Sequence, residues 1–177
     1  VGYRKRDWNT LLEAFGRSDI SENLYLIGNP NIKCDNPKVK VLPFIPIDEL
    51  MTYIVNARFS VVPLDDFNYS FGQMTLLQQM ALGVPILAAD VPAIRDYCNC
   101  SNGVISYKSY DSIDLAQKLV QMSNYSEDTM NAMAQDNMTA TKTSLSEQGM
   151  ARQFEIICND IVGNINSTCN TGTEISK

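Results

Sequence analysis

In the stretch NYSFGQMTLLQQMALGVP, residues 68 to 85, the residues Ser70, Gly72, Gln73, Met74 and Gln78 are spaced as a loop running into a helix. Such an entrance can hold an anion. Gly72 lets the backbone approach a ligand closely. The first N–H groups of the helix, those of Gln73 and Met74, have no partner inside it and lie at the positive end of its dipole. Together they could cradle a phosphate without a lysine. Ser70 could instead cap the helix and leave an ordinary helix start. Deeper in the helix, Gln78 and Gln79 stand among Leu76, Leu77 and Met80. An unpartnered amide there costs about 1 to 3 kcal/mol, so a bonding partner is expected. A second cluster, Arg4, Lys5 and Arg6, opens another helix. It is either a solvated charged face or a source of guanidinium groups for a pyrophosphate.

The composition narrows the chemistry further. The chain has no histidine, so Ser-His and Cys-His mechanisms and the commonest metal ligand are absent. A net charge of -6 argues against a nucleic-acid partner or an anionic membrane surface. No apolar run reaches the roughly 20 residues of a membrane span, and no signal peptide is evident. The five cysteines lack zinc spacing and are expected to be reduced thiols of a cytoplasmic protein. Five Asn-x-Ser/Thr sequons, among them Asn124 and Asn137, would suit a secreted glycoprotein, but a chain rich in Asn, Ser and Thr makes them by chance. The dinucleotide Gly-x-Gly-x-x-Gly and P-loop patterns are missing, and so is any Asp-x-Asp pair. Asp65 and Asp66 read as plain solvation of a loop.

The elements that must position these groups follow from periodicity. Asp7 can cap a helix with Trp8, Leu11, Leu12 and Phe15 on one stripe. LYLIG at 24–28 reads as a strand buried on both faces, and VKVLPF at 39–44 as a second. After Pro46, Ile47, Leu50, Met51 and Ile54 mark a one-sided helix. FSVVPL at 59–64, VPILAAD at 84–90 and GVISY at 103–107 are further strands, the last followed by a helix with Ala116, Leu119 and Val120 inward. Apolar strands alternating with amphipathic helices predict an α/β fold with a doubly wound, Rossmann-like parallel sheet. From Ser126 onward the pattern is helical, ending with Phe154, Ile157, Cys158 and Ile161 on one face. A Rossmann-like domain over 1–162 and a disordered tail over 163–177 are expected. Val1 and Gly2 stand where a complete first strand would normally precede the first helix, so that strand reads as truncated.

The run GQMTLLQQMALGVPILAADVPAIRDY resembles the C-terminal, donor-binding half of GT-B glycosyltransferases of the group 1, or family 4-like, type. RDWNTLLEAF, LYLIGNP and VLPFIPIDELMTYIVNARFSVVPL extend the resemblance in the family's order, over roughly residues 1 to 107. The resemblance implies transfer of a sugar from a nucleotide-sugar, such as a UDP- or GDP-sugar, to an acceptor. It further implies retention of anomeric configuration and no metal or other cofactor. The acceptor would be held by an N-terminal domain that this sequence lacks. In the family two glutamates frame the site, one facing the sugar and one holding the ribose. Aligned on Met80 to Pro85, their places are taken by Ser70 and Gln78. The resemblance then gives Gln78 the ribose, gives the amides of Gly72, Gln73 and Met74 with Arg6 or Arg4 the pyrophosphate, and rests the base against Phe44 and Ile45. Gln78 bonded to backbone and Phe44 as plain core are the alternatives at those positions. A non-catalytic nucleotide-sugar-binding or partner module is the alternative for the whole. A receiver-like domain would want acidic groups where Arg4, Lys5 and Arg6 stand.

Overall fold

The structure is a computed structural model that describes the backbone of residues 5–29, 31–67 and 69–170, and side chains as far as Val162. Asp7 begins helix α1 (Trp8–Ser18) as expected, its carboxylate accepting from the Thr10 N–H at 3.1 Å. Leu11, Ala14 and Phe15 form the buried stripe. Strands β1 (Leu24–Ile27) and β2 (Val39–Leu42) pair in parallel, with Leu24 opposite Val39. Helix α2 (Ile47–Val55), entered directly from Pro46, carries the chain to β3 (Ser60–Val62). Then follow α3 (Gln73–Ala81), β4 (Ile86–Ala89), α4 (Pro92–Cys98), β5 (Val104–Tyr107) and α5 (Ser112–Ser123). Two helices close the chain, α6 (Glu127–Lys142) and α7 (Glu147–Asn170).

Every strand pairing is parallel, as the apolar strand pattern requires, but the ladder is divided. One sheet holds β1 and β2; the other has the order β3, β4, β5. The centre of the core is β4, whose four residues are all buried between helices on both sides. At β1 the expectation of burial on both faces fails. Tyr25 is 46% exposed and leans on Tyr53, ring centroids 5.5 Å apart, because one edge of β1 borders a channel instead of another described strand. Ile47 and Val120, expected inward, are exposed, while Ile54, Leu115, Leu119 and Met122 carry those helices' buried faces. Helix α4 has no counterpart in the periodicity reading; with seven residues it is too short to show a stripe. Phe154, Ile157, Cys158 and Ile161 share a stripe of α7, and all four are exposed. Helix α7 continues through Gly163 to Asn170, into the segment expected to lack order; residues 171–177 lie outside the described residues.

The cysteines with described side chains, Cys34, Cys98, Cys100 and Cys158, are free thiols, and burial pushes the Cys98 thiol up to about 12. Among the described residues no helix is long and apolar enough to cross a membrane.

Two buried amides show how polar groups are handled inside this core. Asn137 of α6 is fully enclosed: its Nδ2 donates to the carbonyls of Val84 at 2.7 Å and Gly103 at 3.1 Å, and its Oδ1 accepts from Ser101 Oγ at 2.7 Å. It thereby ties α6 to the turns that start β4 and β5. A side chain at Gly103 would collide with the Met133 carbonyl and with Asn137 itself. The same burial removes Asn137 from the usable glycosylation sequons. Gln79 of α3 is the contrasting case, 1% exposed with neither Oε1 nor Nε2 partnered among the described residues. Of the two amides expected to need a partner among apolar neighbours, Gln78 is exposed and only Gln79 is enclosed. Gln79 follows Leu76 by three residues and so shares its buried face.

Asn137→Ala should lower unfolding stability by on the order of 3 kcal/mol in urea denaturation, since it strands two carbonyls and a hydroxyl. A loss below about 0.5 kcal/mol would show that water replaces those bonds. Gln79→Met, close in volume, should raise stability by about 1 kcal/mol by removing an unpaired buried amide. A fall in melting temperature would mean that the amide is satisfied in solution.

Candidate functional site

The carboxyl ends of the strands gather the groups singled out by sequence. Chain order passes from β2 to β3 between the two sheets, so the place where direction reverses lies between β1 and β3. Ligands of open parallel sheets collect at such a crevice. On one side of it stands the lead-in to α1. Asp7 N–H donates to the Pro63 carbonyl at 2.8 Å, Asp65 N–H donates to the Lys5 carbonyl at 3.3 Å, and Arg6 forms an isolated antiparallel bridge with Leu64. Lys5 adopts φ 58° within this turn. On the other side stands the entrance to α3.

That entrance has the form needed for an anion. Gly72 occupies the N-cap position in the left-handed region, φ 88°, and no side chain caps the helix. The first-turn N–H groups therefore have no intrahelical acceptor. Two features demand glycine at this position. Its positive φ disfavours any other residue, and an added Cβ would come within 2.6 Å of Leu64 Cδ1. Ser70 is exposed and does not cap. Instead its hydroxyl accepts from Gln73 Nε2, which also donates to the Ala93 carbonyl at 2.8 Å. The Gln73 side chain thus ties the loop to the start of α4. Met74 is exposed at 68% on the first turn.

Arg6 joins the two sides. It is 9% exposed, its Nη2 donates to Thr75 Oγ1 at 3.2 Å, and its guanidinium lies 5.5 Å from the Phe71 ring centre. Burial lowers its pKa, against which the Asp65 carboxylate pulls upward; a guanidinium remains charged regardless. Asp65 is held above the usual carboxylate range by burial and by the like charge of Asp7, with Lys5 and Arg6 opposing. The solvation role expected for Asp65 and Asp66 is therefore incomplete. Asp65 faces the cations, and the Asp66 N–H donates to the Tyr110 hydroxyl at 2.9 Å. Lys5 Nζ sits 4.0 Å above the Phe67 ring.

Beside the entrance is a hollow of about 380 Å³ lined by Phe67, Tyr69, Ser70, Gln73, Pro92 and Tyr97, among others. Periodicity gave no hint of this aromatic lining, because it comes from a loop and from the short α4. Two of the other expected residues, Phe44 and Ile45, are more distant in the topology. Phe44, 70% exposed and so not core, and Ile45 follow β2, which lies beyond β1 from the α3 entrance. Gln78 lies on the exposed side of α3. Arg4 lies outside the described residues. Asp90 and Arg95 form an exposed ion pair at 2.7 Å after β4.

The sequence matches the family model for group 1 glycosyl transferases over residues 3–124. No curated protein matches it. Among solved structures, the chain resembles a sucrose-phosphate synthase from Thermosynechococcus elongatus, with a TM-score of 0.69 at 16% identity. That match covers 92% of this chain and 44% of the other. It also resembles the catalytic domain of a cholesterol-α-glucosyltransferase from Helicobacter pylori, with a TM-score of 0.60 at 16% identity over 80% of this chain and 94% of the other. The chain therefore spans less than half the length of the synthase, and at this identity both likenesses speak to the fold. The parallel α/β architecture is that of GT-B glycosyltransferases, and the match of residues 3–124 places the chain in the group 1 glycosyl transferase family.

Proposed function

We propose that this chain is the donor-binding domain of a glycosyltransferase and that its α3 entrance holds the diphosphate of a nucleotide-sugar. The observation that carries the reading is the pairing of an uncapped helix start at Gly72 with the enclosed Arg6 guanidinium next to it. The amides of Gln73 and Met74 supply partial positive charge and Arg6 a full one, which together suit a diphosphate leaving group. In this reading no metal is needed to neutralise the leaving group, and anomeric configuration is retained. The hollow bounded by Phe67, Tyr69, Pro92 and Tyr97 is a concave, largely aromatic surface with Ser70 and Gln73 as its polar members, the composition of a small-molecule seat. The sugar rests there, with Ser70 where the family places a carboxylate. Gln78, reachable from solvent, offers its carboxamide to the ribose, and Phe44 with Ile45 flank the base. The donor is a UDP- or GDP-sugar, and the acceptor is held by a second domain.

Titration with UDP, GDP and their sugar conjugates tests the reading. Arg6→Met should weaken diphosphate binding by about 2 kcal/mol, roughly thirtyfold, and make it less sensitive to salt. An unchanged affinity and salt response would remove Arg6 from the site. Gln78→Leu should cost about 1 to 3 kcal/mol of binding with little change in melting temperature, because the side chain is exposed. If binding is unchanged, the ribose contact is lost from the proposal.

A further inference from the structure

Tyr110, in the turn between β5 and α5, combines a strained backbone with an exposed ring. The turn closes where the Asp111 N–H donates to the Lys108 carbonyl at 3.2 Å, and within it Tyr110 takes φ 59°. A positive φ at the third residue of such a turn calls for glycine or asparagine, because a larger side chain crowds the neighbouring carbonyl. The tyrosine ring gains little burial in return, being 57% exposed. What the side chain gains is reach: its hydroxyl accepts from the Asp66 N–H at 2.9 Å, on the loop that joins β3 to α3. We propose that Tyr110 is a positioning residue, a strut from the β5–α5 turn that holds the β3–α3 loop so that Phe67 and Tyr69 stand as the aromatic wall of the hollow beside Gly72. This role rests on the reading of that hollow as the sugar seat: Tyr110 then governs the grip on the sugar and leaves the grip on the diphosphate alone.

The footing of the strut is rigid. Asp111 caps α5 by accepting from the N–H groups of Ile113 at 3.1 Å and Asp114 at 3.0 Å, and Asp114 Oδ2 accepts from the Lys108 N–H at 2.7 Å. Both flanks of Tyr110 are thereby held, the condition under which a strained backbone persists. The loop it meets is tethered at successive amides, Asp65 N–H to the Lys5 carbonyl at 3.3 Å and Asp66 N–H to Tyr110. Immediately beyond comes Phe67, beneath Lys5 Nζ and with its ring centre 5.4 Å from that of Tyr69. At the far end of the loop Gln73 Nε2 donates to the Ser70 hydroxyl and to the Ala93 carbonyl. The aromatic wall therefore hangs between two tethers, and Tyr110 supplies the outer bond of the first. Arg6 is held separately, by its bridge to Leu64 and its bond to Thr75, so loss of the phenol oxygen loosens the wall without moving the cation.

Tyr110→Phe deletes the hydroxyl and keeps the ring and the backbone. It should leave the melting temperature close to unchanged and quicken hydrogen exchange of the Asp66 amide, followed by NMR, by about tenfold. Affinity for UDP-glucose and GDP-mannose should fall by about tenfold, while affinity for UDP and GDP shifts by less than about twofold. Tyr110→Asn accepts the left-handed backbone but cannot reach Asp66. It should raise the melting temperature and show the same loss for the sugar conjugates. Unchanged exchange at Asp66 in Tyr110→Phe would overturn the proposal. So would a lower melting temperature in both variants with equal losses for diphosphates and conjugates, the mark of a tyrosine that serves stability alone. Should neither UDP nor GDP bind the unaltered chain, the donor-site reading fails, and exchange at Asp66 and Phe67 decides the strut by itself.

Discussion

The antiparallel contact between the lead-in of α1 and the end of β3 is the constraint on which the rest of the site depends. Two backbone hydrogen bonds, Asp7 to Pro63 and Asp65 to Lys5, fix the height at which α1 begins. From that height the Arg6 side chain reaches Thr75 on the first turn of α3 and the Phe71 ring just before it. A cation at a helix N-terminus is electrostatically unfavourable, because the helix dipole has the same sign there. Burying that cation adds a desolvation penalty. Asp65 offsets part of both, yet its own carboxyl is pushed towards protonation by burial and by Asp7.

Much of the fold was legible because its signals are local and repeated. LYLI, VKVL, SVV, ILAA and VISY are short, apolar and separated by helix-length intervals, and each appears as a parallel strand. Asp7 and Ser126 cap their helices with the side-chain bonds their residue types predict. The division of the sheet was less legible. A sequence shows which segments are apolar and extended, but not that β1 and β3 belong to separate sheets. The failures at Tyr25, Ile47 and Val120 share a cause, since periodicity marks which side of an element is apolar and cannot say whether a neighbour covers it.

The site was readable in part for a related reason. Gly72 marked a close approach of backbone at the helix entrance, and the structure adds that it sits there in the left-handed region. Ser70 misled as a possible cap because capping depends on one exact position, and the glycine two residues later takes it. That Gln79 is enclosed and Gln78 exposed turns on a single residue step of about 100° around the helix, finer than the hydrophobic pattern of α3 resolves. Phe67, Tyr69 and Tyr97 come together through a loop and a seven-residue helix, neither of which carries a periodic signal.

Arg58 deserves a mechanical reading. Its Nη2 donates to the carbonyls of Ser123 at 3.1 Å and Tyr125 at 2.6 Å, and its Nε lies 3.5 Å from Glu22 Oε1, which itself accepts from Ser123 Oγ. This side chain rivets the beginnings of β1 and β3 to the end of α5, while the Lys5–Asp7 turn secures the end of β3. The floor of the cleft is thus fastened by groups belonging to the body of the domain, whatever its contents.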